Sequence, residues 1–94
     1  MTERLNVLIS EIREKCNNAN CFEFDYHWEY YGLMWYPWFL TINGSSESFS
    51  FNDISNEDLK ELCNEGLIEL ITEYSDNEKP EDEFDKKRYR LIKK

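Results

Sequence analysis

Residues 22–42 read FEFDYHWEYYGLMWYPWFLTI, and the first nine of them decide the fold. Phe22, Phe24, Tyr26, Trp28 and Tyr30 alternate strictly with Glu23, Asp25, His27 and Glu29. A period of two is the pattern of a β-strand with one buried and one wet face. On this reading the wet face carries Glu23, Asp25, His27 and Glu29 and is largely acidic. The strand spans residues 21–31, and Gly32 offers a turn. A second strand over residues 34–42 is apolar on both sides. Its Pro37 cannot donate to a ladder, which predicts a sheet edge or a bulge there. Ten of the eighteen residues from Phe22 to Phe39 are aromatic, and each ring can bury about 150–250 Å².

Working outward, Asn43-Gly44-Ser45-Ser46 has hairpin chemistry. A third strand follows, with Phe49 and Phe51 inward and Ser48 and Ser50 outward, completing an antiparallel meander. Before the meander, Thr2 caps a helix whose stripe is Leu5, Leu8, Ile9, Ile12 and Cys16. Asn17, Asn18 and Asn20 end it. After the meander, Ser55 and Asp58 form a capping box and Ile54 and Leu59 a hydrophobic staple. Leu59, Leu62 and Cys63 face the core. Gly66 suits a left-handed stop, and Leu67 can fold back on Leu62. A fourth strand covers residues 67–74. The acidic stretch 75–85 reads as a long loop around Pro80. A fifth strand, residues 87–92, turns Tyr89 and Leu91 inward. Its Arg88 and Arg90 face outward, within reach of Glu69 and Glu73. The expected fold class is α+β: one domain over residues 1–94 in the order α-β-β-β-α-β-β, a five-stranded antiparallel sheet with two helices packed on one face.

The chain has 94 residues and a net charge of −9. Six of its eleven basic residues follow Asp85, so residues 1–85 hold twenty acids against five bases. Such a surface repels nucleic acid and anionic membrane and attracts basic partners. No apolar run reaches the ~20 residues of a membrane-spanning helix. Three cysteines are an odd count, unlike the even sets of secreted disulfide scaffolds. Together with a charged opening helix in place of a signal peptide, they point to the cytoplasm.

The catalytic vocabulary is sparse. Cys16, Cys21, His27 and Cys63 lack the paired knuckle of a zinc site. His27, the only histidine, lies between Asp25 and Glu29, which would favour its charged form. There is no nucleophile elbow, P-loop or glycine-rich cradle. The reading is a non-enzyme without cofactor or metal.

The acidic surface carries the functional expectation. Glu57, Asp58, Glu61 and Glu65 form a ridge on the second helix, and Asp25 and Glu29 lie on the wet sheet face. Carboxylates so arrayed imitate phosphates and suit a basic nucleic-acid groove. Trp28, Trp35, Tyr36 and Trp38 supply candidate anchors. The expected function is inhibition of a basic, nucleic-acid-processing partner, such as a nuclease or a nucleic-acid-guided effector, in the manner of immunity proteins and anti-CRISPR or other anti-defence proteins. Two alternatives stand beside it: a small-molecule binder or sponge with an aromatic pocket under the second strand, and a nucleic-acid module on the basic C-terminal hairpin. An aromatic strand is also suited to pairing across a homodimer axis.

The segment SNEDLKELCNEGLIEL, an acidic loop, then KKRYRLIKK resembles the closing helix and wing of winged-helix domains. The resemblance implies DNA contact through Lys86, Lys87, Arg88 and Arg90. It departs from that family in two ways. A strand precedes this helix where a helix-turn-helix needs a helix. The would-be recognition helix also carries Glu57, Asp58, Glu61 and Glu65, which phosphates repel. Ordinary helix-stop and hairpin chemistry accounts for the same spacing.

Overall fold

A computed structural model describes residues 2–30, 35–51, 53–75 and 83–92; for residues 29, 30, 35–39 and 83–85 it describes the backbone alone. The elements are α1 (Glu3–Ala19), β1 (Glu23–Tyr30), β2 (Trp35–Ile42), β3 (Ser45–Ser46), α2 (Asn56–Asn64), β4 (Ile68–Glu73) and β5 (Glu83–Leu91). The strands form one antiparallel sheet in the order β3-β2-β1-β5-β4. The expected α+β order is the observed one. β1, the strand that set the reading, lies at the centre, and the C-terminal hairpin docks beside it through β5.

Both helices cover one face. Leu5, Leu8, Ile9, Ile12 and Cys16 of α1 and Leu59 and Leu62 of α2 meet Phe24, Tyr26, Leu40, Ile42, Ile68, Tyr89 and Leu91 of the sheet in one core. Phe24 stacks on Tyr89 with ring centroids 5.6 Å apart. Tyr26 reaches through the core and donates its hydroxyl to the Ile54 carbonyl at 3.0 Å. That bond satisfies a buried polar tip and ties the centre of the sheet to the turn that starts α2.

Helix boundaries follow local chemistry. The Thr2 hydroxyl accepts from Leu5 N–H. At the far end of α1, Asn20 is left-handed (φ 51°), and the Cys21 and Asn20 N–H groups donate to the Cys16 and Asn17 carbonyls. That is the double bond of a Schellman motif. The capping box on α2 is complete: Asp58 N–H donates to the Ser55 hydroxyl, and Ser55 N–H donates to the Asp58 carboxylate at 3.0 Å. Gly66 (φ +75°) and Leu67 close α2 with N–H bonds to the Cys63 and Leu62 carbonyls.

Asn43 and Gly44 both have positive φ, the type I′ hairpin geometry. The third strand is shorter than expected. It ends at Ser46, and one further bond joins Glu47 N–H to the Leu40 carbonyl. The chain then leaves the sheet for α1. The Ser50 hydroxyl and N–H donate to the Glu11 carboxylate at 2.8 and 3.2 Å. Lys15 lies over the Phe49 ring and Arg4 over the Phe51 ring, at 5.2 and 4.8 Å. Phe49 and Phe51 do pack inward, against the core. Cation–π contacts and a helix carboxylate hold them in place of a ladder.

Pro37 reads correctly as both bulge and edge. Across β1 and β2, His27 pairs with Phe39 and Glu29 with Tyr36, so Pro37 and Trp38 together oppose Trp28. β3 pairs only with Thr41 and Ile42, which leaves the Pro37 end of β2 on the edge among the described residues. A second bulge sits directly across β1. Tyr26 pairs with Lys87 and Trp28 with Phe84, so Asp85 and Lys86 oppose His27.

Candidate functional site

Strand alternation places Glu23, Asp25 and His27 on the sheet face away from the helices. The expected acidic docking surface is largely neutralised there. Arg88 grips Asp25 with Nε and Nη2 at 2.9 and 3.3 Å, and the Asp25 side chain is only 14% exposed. Arg90 binds Glu69 at 3.0 Å and Glu23 at 3.7 Å, and Arg88 also approaches Glu23. Asp25 holds the Arg88 guanidinium above its usual pKa, against the opposing effect of burial. The Tyr74 ring lies beneath Lys86 and Arg88. Burial, aided by Asp25, pushes its phenol up. The reach of Arg90 to Glu69 is as expected. Arg88 instead selects Asp25, because Glu73 stands opposite Lys87 on the helix face.

His27 departs from its expected place on a wet face: it is buried, 3% exposed. Bulges in both neighbouring strands increase twist at its level and bend the sheet around it. Trp28 is half-buried and packs against the core, so its ring is taken up by the fold. The side chains of Glu29, Trp35, Tyr36 and Trp38 lie outside the described residues, as do Gly32 and most of the acidic loop.

The four acids of α2 divide into two kinds. Asp58 is structural. Its carboxylate receives Arg4 Nη2 and Nε at 2.9 and 3.2 Å as well as the cap bond from Ser55, and it is 14% exposed. Burial would raise its pKa, but the bonds from Arg4 and Ser55 prevail and hold it below the usual carboxylate range. Arg4 also reaches the carboxylate and carbonyl of Asp53, tying α1 to the approach to α2. Glu57, Glu61 and Glu65 are different: exposed, four residues apart along one flank, and without an ion pair among the described residues. They repel one another at i,i+4. Glu61 and Glu65 also stand near the negative end of the helix dipole, and α2 has no basic residue in its last turn.

A groove of about 370 Å³ runs beside this ridge, between Asn56, Glu57, Lys60 and Cys63 of α2 and Leu70 and Glu73 of β4. Leu70 is exposed there on the outer strand of the sheet, and its neighbour Ile71 is exposed as well. Lys87 on its floor donates to the Asn56 side chain at 3.3 Å. On the other face, at the start of β1, a hollow of about 540 Å³ is lined by Cys21, Phe22, Glu23, Glu69, Arg90, Leu91 and Ile92.

The basic strand therefore has little to offer phosphate: Arg88 and Arg90 already hold carboxylates, Lys87 an amide and Lys86 a ring. The thiols are spread out. Cys16 is buried in the core, where burial pushes its pKa up to about 11, and burial also raises Cys63. Among the described residues no three His, Cys, Asp or Glu side chains are grouped to hold a metal ion, and no helix is long and apolar enough to cross a membrane. Sequence reasoning did not find Arg4, the residue that takes Asp58 out of the ridge. Its only signal was a lone base opposite an acidic cap, and the 54-residue separation hides that pairing. Comparison of the chain with protein-family models, with curated proteins and with solved structures gives no match.

Proposed function

We propose that this chain is a non-enzymatic cytoplasmic binding protein. It presents the Glu57–Glu61–Glu65 flank of α2 to the positively charged groove of a nucleic-acid-processing partner, as an immunity or anti-CRISPR protein does. The observation that carries the reading is the contrast within the acidic set. Asp25, Asp58 and Glu69 are each held by an arginine, whereas Glu57, Glu61 and Glu65 have no ion pair among the described residues, repel one another along one flank, and in the case of Glu61 and Glu65 also oppose the helix dipole. An arrangement that lowers helix stability fits a role outside the fold. Charge on such a flank chiefly speeds and orients encounter, so association should slow steeply as salt rises.

The test is a tagged pull-down from the native host at low and high salt, repeated with the Glu57→Lys/Glu61→Lys/Glu65→Lys variant. One stoichiometric basic partner, held best at low salt and lost by the folded variant, is the expected result. Retention of that partner by the variant with the same salt dependence removes α2 from the interface. The hollow at the start of β1 favours a second reading, a small-ligand binder, because about 540 Å³ lies in the ~300–1,000 Å³ range of ligand sites. A rise in melting temperature with a metabolite, abolished by Arg90→Met, would support it.

A further inference from the structure

Cys16 and Cys21 are five residues apart, yet the end of α1 brings them together. Cys21 N–H donates to the Cys16 carbonyl at 3.1 Å, so the two occupy the paired positions of a Schellman motif whose side chains ordinarily touch. Contact between these two side chains is what a disulfide across the helix stop requires, since a disulfide needs its Cα atoms about 4.4–6.8 Å apart. Both are free thiols with unlike surroundings. Cys16 is fully buried in the core. Cys21 is half-exposed, donates its thiol to the Glu23 carbonyl at 3.4 Å, and lines two hollows of about 540 and 270 Å³. Cys63 is elsewhere, in the groove between α2 and β4. Burial is the main cause of the raised pKa of Cys16, and its proximity to Cys21 adds to it.

We propose that Cys16 and Cys21 are an oxidisable thiol pair, a modification site at which hydrogen peroxide entering beside Cys21 drives formation of an intramolecular Cys16–Cys21 disulfide. The Cys21 thiolate attacks one peroxide oxygen and the O–O bond breaks. The leaving oxygen takes a proton and departs as water, and Cys21 becomes a sulfenic acid. The Cys16 sulfur then attacks the Cys21 sulfur, the S–O bond breaks, and hydroxide leaves with the Cys16 proton as a second water. Two thiols are oxidised to one disulfide, and one peroxide is reduced to two waters. The bond staples the end of α1 to the entry of the central strand. Cys16 is the resolving thiol because the helix stop joins it to Cys21, whereas Cys63 lies in the groove between α2 and β4.

The experiment treats the folded protein with hydrogen peroxide, then denatures, alkylates and maps peptides without reduction. The expected result is loss of two of the three alkylatable thiols, loss of the mass of two hydrogens, and a Cys16–Cys21 cross-link. The cross-link should persist in Cys63→Ser and be lost in Cys21→Ser, which changes a half-exposed side chain. In Cys16→Ala, dimedone should trap Cys21 as its sulfenic acid. A bridge to Cys63, a bridge between molecules, accumulation of oxidised Cys21 beside a free Cys16 in the parent chain, or no cross-link at all would each overturn the proposal.

Discussion

Replacing Glu61 by lysine should stabilise this protein while weakening its binding to a basic partner. Glu61 has Glu57 one turn before it and Glu65 one turn after it, and all three side chains are exposed. Each i,i+4 like-charge pair costs an isolated helix about 0.2–0.5 kcal/mol, and an opposite pair returns a similar amount. The substitution changes the sign of both pairs. With Glu57 the new order, acid before base, is the favourable one; with Glu65 it is the weaker reverse. A cation near the C-terminal end of α2 adds roughly 0.3 kcal/mol or more by way of the helix dipole. Together these give about 1 kcal/mol of stabilisation at low ionic strength, or a Tm higher by about 4–8 °C for a domain of this size. Thermal unfolding followed by circular dichroism measures it directly. The gain should shrink toward zero in ~1 M salt, where the screening length is about 3 Å. A Tm that falls by several degrees would mean that Glu61 has an internal partner. The contrast between internally used and free acids, on which the functional reading stands, would then fail for this residue.

Three further outcomes follow from the same geometry. Asp58→Asn should cost about 1–2 kcal/mol at neutral pH through the weakened cap and the Arg4 bond, the latter discounted because Arg4 is one-third exposed. The folded pKa of Asp58 is depressed, so its contribution is complete above the unfolded value of about 3.9 and is lost as pH falls through the folded one. The gap between parent and Asn variant in chemical denaturation should therefore close below about pH 4. At Gly66, a Cβ would meet nothing within 4 Å but φ is +75°; Gly66→Ala should cost about 1 kcal/mol and Gly66→Asn less, read from denaturant midpoints. Leu62→Ala opens a cavity under a fully buried side chain and should cost about 2–5 kcal/mol by the same assay.

The parts of the fold that were legible in the chain are those in which a few neighbouring residues decide the outcome. Ser55 with Asp58, Asn43 with Gly44, Gly66 with Leu67, and the stripe from Leu5 to Cys16 each define a local geometry, and the structure adopts all four. What could not be read are pairings over long separations. Nothing near Ser50 announces Glu11, 39 residues earlier, so the third strand reads too long. Nothing near Asp25 announces Arg88, 63 residues later, so Asp25 reads as a free surface charge. The candidate site fared accordingly. Glu57, Glu61 and Glu65 are exposed as expected, because a helix face follows from spacing. Asp25 and Asp58 were assigned outward because the arginines that hold them lie on other elements.

His27 shows where the alternation rule stops. Period two assigns a residue to a face of the sheet, and His27 does take the face opposite Tyr26. It cannot say whether that face is open, which depends on the curvature set by neighbouring strands. Here each neighbour carries its extra residue at nearly the same level: Pro37 and Trp38 against Trp28, and Asp85 and Lys86 against His27. Each bulge bends its strand and increases the local twist, and His27, between the two, is closed off from solvent at 3% exposure. The consequence is measurable. On a wet face His27→Ala would lie within about 0.5 kcal/mol of the parent. Buried as it is, the imidazole leaves a void, and its loss should cost about 2–3 kcal/mol. The paired change Asp25→Ala removes an ion pair from the same strand and face, with Asp25 two residues away. It should couple to His27→Ala by more than about 0.5 kcal/mol, because both rest on the same curved surface. A denaturation midpoint for His27→Ala equal to that of the parent would show the curvature to be slack, and the bulges to be edge features that leave the histidine in water.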